Sequence, residues 1–418
     1  MQGTLFYDSN TIGGYLLRKQ IIWSLFEKLM KSVTAIATLS LISRSLSELH
    51  FGEYVTLVSL GGVFLALTNI GAESLIPKII SKKESGSEFY LLKVAATFLF
   101  SLMFLIICFT YYINIPWQYI LIFSISFFCY FYSYSEYIAN QKGLISLFSK
   151  ISISIQAISL ILKGMYVYYG GDNILFWLCI FSAEYLLTGL ISYLLLKEPV
   201  TLKAIDKSKL KIMMKDVSFI LLSSATIAAY MRIDTLMISY YLGSDAAGKY
   251  FAGSRLSEGV YFIGISVANI FYSQTLRDNI AGKITVSRDI KKYILFLFLL
   301  GITGTSFINL LSKIAVDFLY GEEFSISATI LSIHSISIAF VFIGGYLSRL
   351  YIGCGYAKKN FRRTFFSLII NIALVYYMIP HFGISGAAYA MVISQIFSSF
   401  IMFIIDKEFM SRLAKGKI

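Results

Sequence analysis

Proline is nearly missing from this chain, with four residues in 418. Charge is scarce too: 14% of the residues are charged, whereas a soluble domain carries about 25%. So little polar surface excludes an ordinary soluble domain. Cysteine is equally sparse. Cys108, Cys129, Cys179 and Cys354 stand inside apolar runs at unrelated spacings, so neither a disulfide framework nor a thiolate metal site is expected. The three histidines, His50, His334 and His381, are far apart and make no metal-ligand spacing and no nucleophile relay. No glycine-rich phosphate loop followed by Lys and Ser/Thr occurs, which argues against ATP hydrolysis by this chain. With these reagents missing, no catalytic site, metal or cofactor is expected.

What the chain has in excess is apolar. Hydrophobic residues make up 57% of it, including 35 Phe and 30 Tyr, and the mean hydropathy is +0.73. Crossing a bilayer takes roughly 20 residues of helix, and the apolar runs can be walked off at about that length. Spans are predicted at Ile21–Arg44, Gly52–Leu75, Tyr90–Ile113, Trp117–Asn140, Ile151–Tyr169 and Ile174–Leu196. After a lysine-rich connector come Val217–Tyr241, Ala247–Tyr272, Tyr293–Leu311, Ala328–Tyr351, Phe365–Ile379 and Ile384–Ile405. Met1 to Tyr15 lacks the basic head and apolar run of a cleavable signal peptide.

Orientation follows from the basic residues, because cytoplasmic loops retain them. Alternate connectors are rich and poor in Lys and Arg. The rich set holds Arg18 and Lys19; Lys78, Lys82 and Lys83; Lys142 and Lys150; and Lys197, Lys203, Lys207, Lys209, Lys211 and Lys215. It continues with Arg277, Lys283, Arg288, Lys291 and Lys292, then Lys358, Lys359, Arg362 and Arg363, then Lys407, Arg412, Lys415 and Lys417. The opposite connectors, which include Ser312–Ser327 and Pro380–Gly383, contain only Lys313. This asymmetry predicts an even number of spans with both termini in the cytoplasm. It also accounts for the net charge of +13: the cations are dispersed over loops that face anionic lipid headgroups, not gathered on one nucleic-acid-binding face.

A weak internal repeat organises the spans. LSELHFGEYVTLVSL around Phe51 and LGSDAAGKYFAGSRL around Ala247 align Gly52 and Tyr54 with Gly248 and Tyr250, close to half the chain apart. Six spans is an even offset, so the halves would enter the membrane the same way round, as parallel repeats. The expectation is an all-α integral membrane protein, with about twelve transmembrane helices in two six-helix lobes around a central cavity. The N-terminal lobe would be 1–200, the cytoplasmic connector 201–216 and the C-terminal lobe 217–418.

The segment Ser47–Ser81, SELHFGEYVTLVSLGGVFLALTNIGAESLIPKIIS, resembles the opening signature of polysaccharide flippases, with Asn69 and Gly71 in its closing "D/N-x-G" stretch. Leu242–Leu256 (LGSDAAGKYFAGSRL), Leu319–Phe324 (LYGEEF) and Met378–Ala390 (MIPHFGISGAAYA) resemble later segments of the same family in the same order. That family is the multidrug/oligosaccharidyl-lipid/polysaccharide flippase superfamily, and the likeness is strongest to its Wzx-type O-antigen translocases. The resemblance implies a cationic cavity and a lipid-linked oligosaccharide substrate, built on undecaprenyl diphosphate and moved from the cytoplasmic to the periplasmic leaflet of a bacterial inner membrane. Polysaccharide polymerase machinery and membrane lipids are the implied partners. The chain is short for the lipid II branch, which carries extra C-terminal spans.

Ionisable residues inside spans are costly and tend to face a cavity or a partner. Lys31 lies near mid-depth in the first span, with Glu27 and Lys28 on the same face. Arg255 and Glu258 share a face of the eighth span at i, i+3. Arg232 and Asp234, two residues apart, point to different faces and are not expected to pair. Glu184 and Lys163 sit at comparable depth and could pair. Lys31, Arg255, Lys28 and Arg232 are therefore the candidate cavity residues. Glu27, Glu184, Asp234 and Glu258 are candidate charge partners or sites for a coupling H+ or Na+. Lys93, Glu136 and Arg349, near cytoplasmic ends, are expected to snorkel, and Arg44 and Lys249 to flank the external surface. A drug or metabolite exporter of the multidrug and toxin extrusion type is the first alternative, but cationic cargo calls for an acidic cavity. A membrane polymerase or glycosyltransferase is the second, and would want a large external loop.

Overall fold

The computed structural model describes residues 12–72, 75–76, 79, 86–196, 205–281 and 286–416. Of the basic residues that orient the chain, Lys78, Lys82, Lys83, Lys197, Lys203, Lys283 and Lys417 lie outside the described residues, as do the side chains of Arg18, Lys19 and Lys215. Among the described residues every regular element is helical. In chain order they are α1 (Ile12–Ser45), α2 (Glu48–Thr68), α3 (Ser87–Tyr111), α4 (Trp117–Cys129), α5 (Ser135–Gln141), α6 (Ile145–Tyr168) and α7 (Ile174–Leu196). Then come α8 (Lys207–Tyr230), α9 (Ile233–Leu242), α10 (Ser244–Ile280), α11 (Val286–Tyr320), α12 (Ser325–Ser335), α13 (Ser337–Gly353), α14 (Ala357–Ile396), α15 (Met402–Ile405) and α16 (Lys407–Ala414).

Among the described residues six helices are long and apolar enough to cross a membrane, or eight if each of two bent pairs is one span. The bent pairs are α8 with α9, at 52°, and α12 with α13, at 42°. The Ala357–Ile405 helix is far too long for one pass. It leaves helical geometry at Gly383, and a Cβ on Gly386 would overlap the Met378 carbonyl, so its two arms lie side by side as two passes. Adding α1, α10 and the broken α4–α5 run, which charges or breaks exclude from the apolar test, gives the expected dozen.

Several connectors are shorter than the sequence suggests. The stretch Ser312–Ser327, expected to be an external connector, is mostly helix: α11 continues to Tyr320, and only Gly321 and the 3-10 turn Glu322–Phe324 precede α12. The polar stretch 207–216 is likewise the start of α8, because lysine and serine prolong a helix into water as readily as a loop does. Gly243 and Gly321 make two of the tight turns. Both adopt φ near +95° with an extended ψ, a conformation open essentially to glycine alone.

Packing divides the chain into two compact units, Met1–Leu46 with Gly61–Ala225, and Ser47–Leu60 with Thr226–Ile418. The first half of α2 thus belongs with the C-terminal helices, and the repeat explains why. A Cβ on Gly52 would overlap the Ser244 carbonyl, and one on Gly248 would lie 2.8 Å from the Phe51 ring. The two repeat glycines therefore let α2 and α10 cross in close contact. Lys249 pairs with Glu48 at 2.6 Å and Thr56 donates to or accepts from Ser239 at 2.8 Å, which pins the crossing.

In the first unit, α1 packs on α6, where Thr34 meets Gln156 at 2.9 Å. Its apolar core gathers Ile70, Phe89, Tyr134, Ile138, Phe148 and Leu196. Lys93 corrects the snorkelling expectation. It is fully buried, with Nζ 3.5 Å from Ser133 Oγ and 5.4 Å from the Tyr130 ring centroid. In the second unit α16 folds back on its own lobe. Phe409 and Leu413 enter a core with Val286, Ile290, Tyr351 and Phe403. Asp406 caps α16 by accepting from Phe409 N at 3.1 Å, and Lys359 bridges Asp406 at 3.1 Å and Glu408 at 2.8 Å.

Candidate functional site

The densest group of membrane-depth charges forms on α10. Arg255 and Glu258, one turn apart, pair at 2.8 Å. Arg232 reaches the same carboxylate at 3.3 Å. It can do so because it stands at the break between α8 and α9, with φ at −132°, so its side chain leaves the chain where the helix bends. Both guanidiniums lie against the Phe251 ring, 5.8 Å and 4.5 Å from its centroid. All three charged residues are partly buried. Within the ion-paired trio two arginines share one carboxylate, one positive charge in excess; Asp234 acts electrostatically on Arg232 without bonding to it.

Asp234 is held apart from this group. Its carboxylate accepts from the Tyr250 hydroxyl and from Thr235 N at 2.8 Å, and it is buried. Arg232 and Asp234 do point to different partners, as their two-residue spacing predicts. Beside Glu258, Ser257 Oγ lies 2.6 Å from His334 Nδ1, and Tyr261 OH bonds Ser337 Oγ at 2.7 Å. His334 is the residue that sequence reading missed. Asking only for metal ligands or a catalytic relay passed over a buried imidazole in the run Leu331–Ser337, whose three serines and apolar neighbours were the available signal.

In the first unit four of the charges form two closed pairs. Lys31 bridges Glu27 at 2.5 Å, the lysine side chain 42% exposed and the glutamate 1%. Glu27 also accepts from Ser149 at 3.3 Å. Lys28 is exposed and has no ion pair among the described residues. Lys163 bridges Glu184 at 2.6 Å and donates to Thr38 Oγ1 at 3.2 Å, while Ser159 donates to the same glutamate. Depth estimated from the sequence thus found the Lys163–Glu184 partnership. Arg363, which the sequence reading placed among the basic residues of a connector, is instead a buried cation. It donates to the Ser398 carbonyl inside the π-helical turn Phe397–Ile401.

A model of the family described as polysaccharide biosynthesis protein matches residues 17–258. No curated protein matches the chain. Among solved structures the chain is similar to the lipid II flippase MurJ in an inward closed conformation, at 15% identity over 94% of this chain and 89% of that one, with a TM-score of 0.74. It is similar to an inward-facing multidrug resistance MATE family transporter of the MOP superfamily, at 15% identity over 95% and 96% of the chains, TM-score 0.68. It is also similar to a MOP superfamily transporter from Pyrococcus furiosus, at 16% identity over 98% and 100%, TM-score 0.61. At these identities the likeness is one of fold. It bears out an all-α integral membrane architecture of about twelve spans in two six-helix lobes.

Proposed function

We propose that this chain, which belongs to the polysaccharide biosynthesis protein family matched by its residues 17–258, is a flippase for lipid-linked oligosaccharide. Its cargo is a surface-polysaccharide repeat unit such as O-antigen on undecaprenyl diphosphate, carried from the cytoplasmic to the periplasmic leaflet of a bacterial inner membrane. The lobes 1–200 and 217–418 alternate access to the two sides, with both termini in the cytoplasm. The observation that carries this reading is the Arg232–Glu258–Arg255 group: a site at membrane depth with one uncompensated positive charge suits a diphosphate. Fixed cations replace part of that headgroup's hydration and lower its barrier to crossing. Lys31 and Lys28 are proposed to serve the same path from the first unit. Glu27, Glu184, Asp234 and Glu258 are the carboxylates available to a coupling H+ or Na+.

The fold alone equally suits a drug exporter, and the sign of the charge favours the flippase reading. A cationic drug would meet two guanidiniums beside one carboxylate. A polymerase finds no support, since α11 consumes most of the external stretch that would have carried its catalytic loop. The deciding experiment is deletion of the gene in its host. A flippase requires loss of surface polysaccharide, accumulation of complete undecaprenyl-diphosphate repeat units on the cytoplasmic leaflet, and restoration of both by this chain. Units stranded on the periplasmic leaflet would point instead to a polymerase, and new drug sensitivity with normal polysaccharide to an exporter.

A further inference from the structure

Two helices of the second unit are broken, and both breaks deliver a polar side chain to one turn of α10. The α8/α9 break brings Arg232 to Glu258. The α12/α13 bend, at Ile336, brings His334 to Ser257, with Nδ1 2.6 Å from its hydroxyl. Tyr261 OH stands 3.4 Å from the same nitrogen and continues to Ser337 Oγ, so a chain of hydroxyls leads to the imidazole. The other ring nitrogen, Nε2, is buried and has no hydrogen-bond partner among the described residues. A neutral imidazole satisfies one nitrogen as donor and the other as acceptor. Here, whichever tautomer forms, one ring atom is left bare.

The charges around His334 can be named element by element. From α10 come Glu258, which interacts electrostatically with the imidazole, and the phenol of Tyr261. From the α8/α9 break comes Arg232. From α13 comes the uncharged Ser337, and from α11 the uncharged Thr305 and Asn309, both bonded to neighbouring Ser335. With His334 neutral, the Arg232–Glu258–Arg255 group carries one positive charge. A second one, on His334, is favoured by Glu258 and opposed by Arg232, and an arriving anion adds to the favourable side.

We propose that His334 is a proton site linked to anion binding at the Arg232–Glu258–Arg255 group, so that a phosphate-bearing ligand and a proton bind there together. The inference rests on the reading of that group as a headgroup site. Linkage is reciprocal: an anion that favours the proton is itself held more tightly when the proton is present. A diphosphate taken up with a proton also presents one less negative charge to the interior of the span. Nε2, the ring atom without a partner, is where the added proton or its hydrogen bond to the ligand becomes available.

The test uses the full chain in lipid nanodiscs and geranyl diphosphate as the probe. Calorimetry in buffers of different ionisation enthalpy counts protons taken up on binding, in wild type and in His334→Gln. From pH 8 to pH 6 the wild type should gain about five-fold or more in affinity over the variant, within the roughly ten-fold per pH unit that one linked proton allows. The probe's own titration cancels in that difference. A His50→Gln/His381→Gln variant leaves His334 as the sole histidine, so its imidazole carbon signal reports its charge without any change at position 334. That signal should move toward the charged form when the probe is added at pH 7. Binding with equal pH dependence in wild type and His334→Gln, or with an unmoved imidazole signal, overturns the proposal. So does failure of the probe to bind. The flippase reading is judged separately, by the leaflet on which repeat units accumulate in intact cells.

Discussion

Replacing Lys163 by Met and Glu184 by Leu, singly and together, separates a structural ion pair from a coupling carboxylate. Lys163 is 5% exposed and Glu184 25% in their 2.6 Å pair. Removing one partner of a buried pair costs about 3–5 kcal/mol, because the other charge is left in low dielectric. The two singles should differ in a definite direction. In Lys163→Met the glutamate keeps the Ser159 hydroxyl and some access to water, so the loss should be about 2 kcal/mol, nearer a single charged hydrogen bond. In Glu184→Leu the ammonium keeps only Thr38 at 3.2 Å and is almost wholly buried, so about 3–5 kcal/mol should be lost. The double variant replaces both charges with apolar groups of similar size, which is often close to neutral. The measured coupling energy should therefore be at least about 3 kcal/mol, beyond the range typical of exposed pairs. Reversible unfolding in mixed micelles with rising SDS gives the four stabilities. Restoration of surface polysaccharide in a deletion host reads function in the same four proteins. A double variant that is as stable as wild type but restores no polysaccharide would refute the structural account and make Glu184 part of the transport cycle.

Other outcomes follow from the same coordinates. Arg255→Ala and Lys31→Ala should each lower transport at least about ten-fold, the factor equivalent to 1.4 kcal/mol, without loss of protein from the membrane; wild-type transport by both would move the pathway elsewhere. Gly52→Ala should destabilise by roughly 1–3 kcal/mol through overpacking, since its Cβ meets the Ser244 carbonyl. Gly62→Ala, which meets nothing within 4 Å, should be neutral or stabilise by up to about 1 kcal/mol as helix propensity predicts; SDS unfolding compares the two. At the C-terminal end, the hydrogen bond from Lys359 holds the Glu408 carboxyl below its ordinary value of 4.5. The same bond holds Lys359 above its ordinary 10.5. The carboxylate's share of this latch is therefore present above pH 4.5 and lost as pH falls through its lowered value; the lysine's is present below pH 10.5 and lost above. Hydrogen-exchange protection of the α16 amides, corrected for the intrinsic pH dependence, should be flat between those limits and weaker outside them. Lys359→Ala should shrink the acid step to the part that Asp406 and Glu408 keep through Tyr351, Phe409 N and Tyr356.

How much of this was legible in the sequence varies with the range of the interaction. Arg255–Glu258 and Lys31–Glu27 are neighbours on one helix, so spacing alone was enough to find them. Lys163–Glu184 links two helices, and equal depth sufficed because α6 and α7 are consecutive and antiparallel. Arg232 joins Glu258 only because the helix breaks after Tyr230, and nothing in the local run Ala228–Ile233 marks that break: it contains neither Pro nor Gly. Lys93 was misread because depth along a span does not reveal which way a side chain faces. About five turns of α3 lie beyond it, and the Tyr130–Tyr134 turn that covers it exists only as a departure from the α-helical path of the fourth span. Helix ends were the weakest part of the reading. Apolarity stops where the membrane does, whereas α11 carries on to Tyr320 through Ser312, Lys313 and Asp317.

The charges of the two units differ in kind, and that difference bears on cargo. In the first unit, Lys31 with Glu27 and Lys163 with Glu184 are one-to-one pairs, and each carboxylate also takes a serine hydroxyl. Such pairs largely cancel, which leaves the part-exposed Lys31 and the exposed Lys28 as the cations of this unit that a ligand could reach. In the second unit two arginines share one carboxylate, and the second acid, Asp234, is turned to Tyr250 and Thr235 and acts on Arg232 only through space. The imbalance follows from local geometry: Asp234 begins α9 with its side chain turned toward Thr235 N, as carboxylates at helix N-termini are favoured to do. Freeing Asp234 from Tyr250 should therefore weaken anion binding, by making a second carboxylate available near Arg232. Tyr250→Phe tests this directly. It removes one hydroxyl and leaves the ring, so packing between α9 and α10 is kept. Geranyl diphosphate binding by Tyr250→Phe should fall several-fold while unfolding in SDS changes little. Unchanged affinity would mean that Asp234 stays anchored by Thr235 alone, and that the positive excess of the α10 group does not depend on holding this carboxylate away.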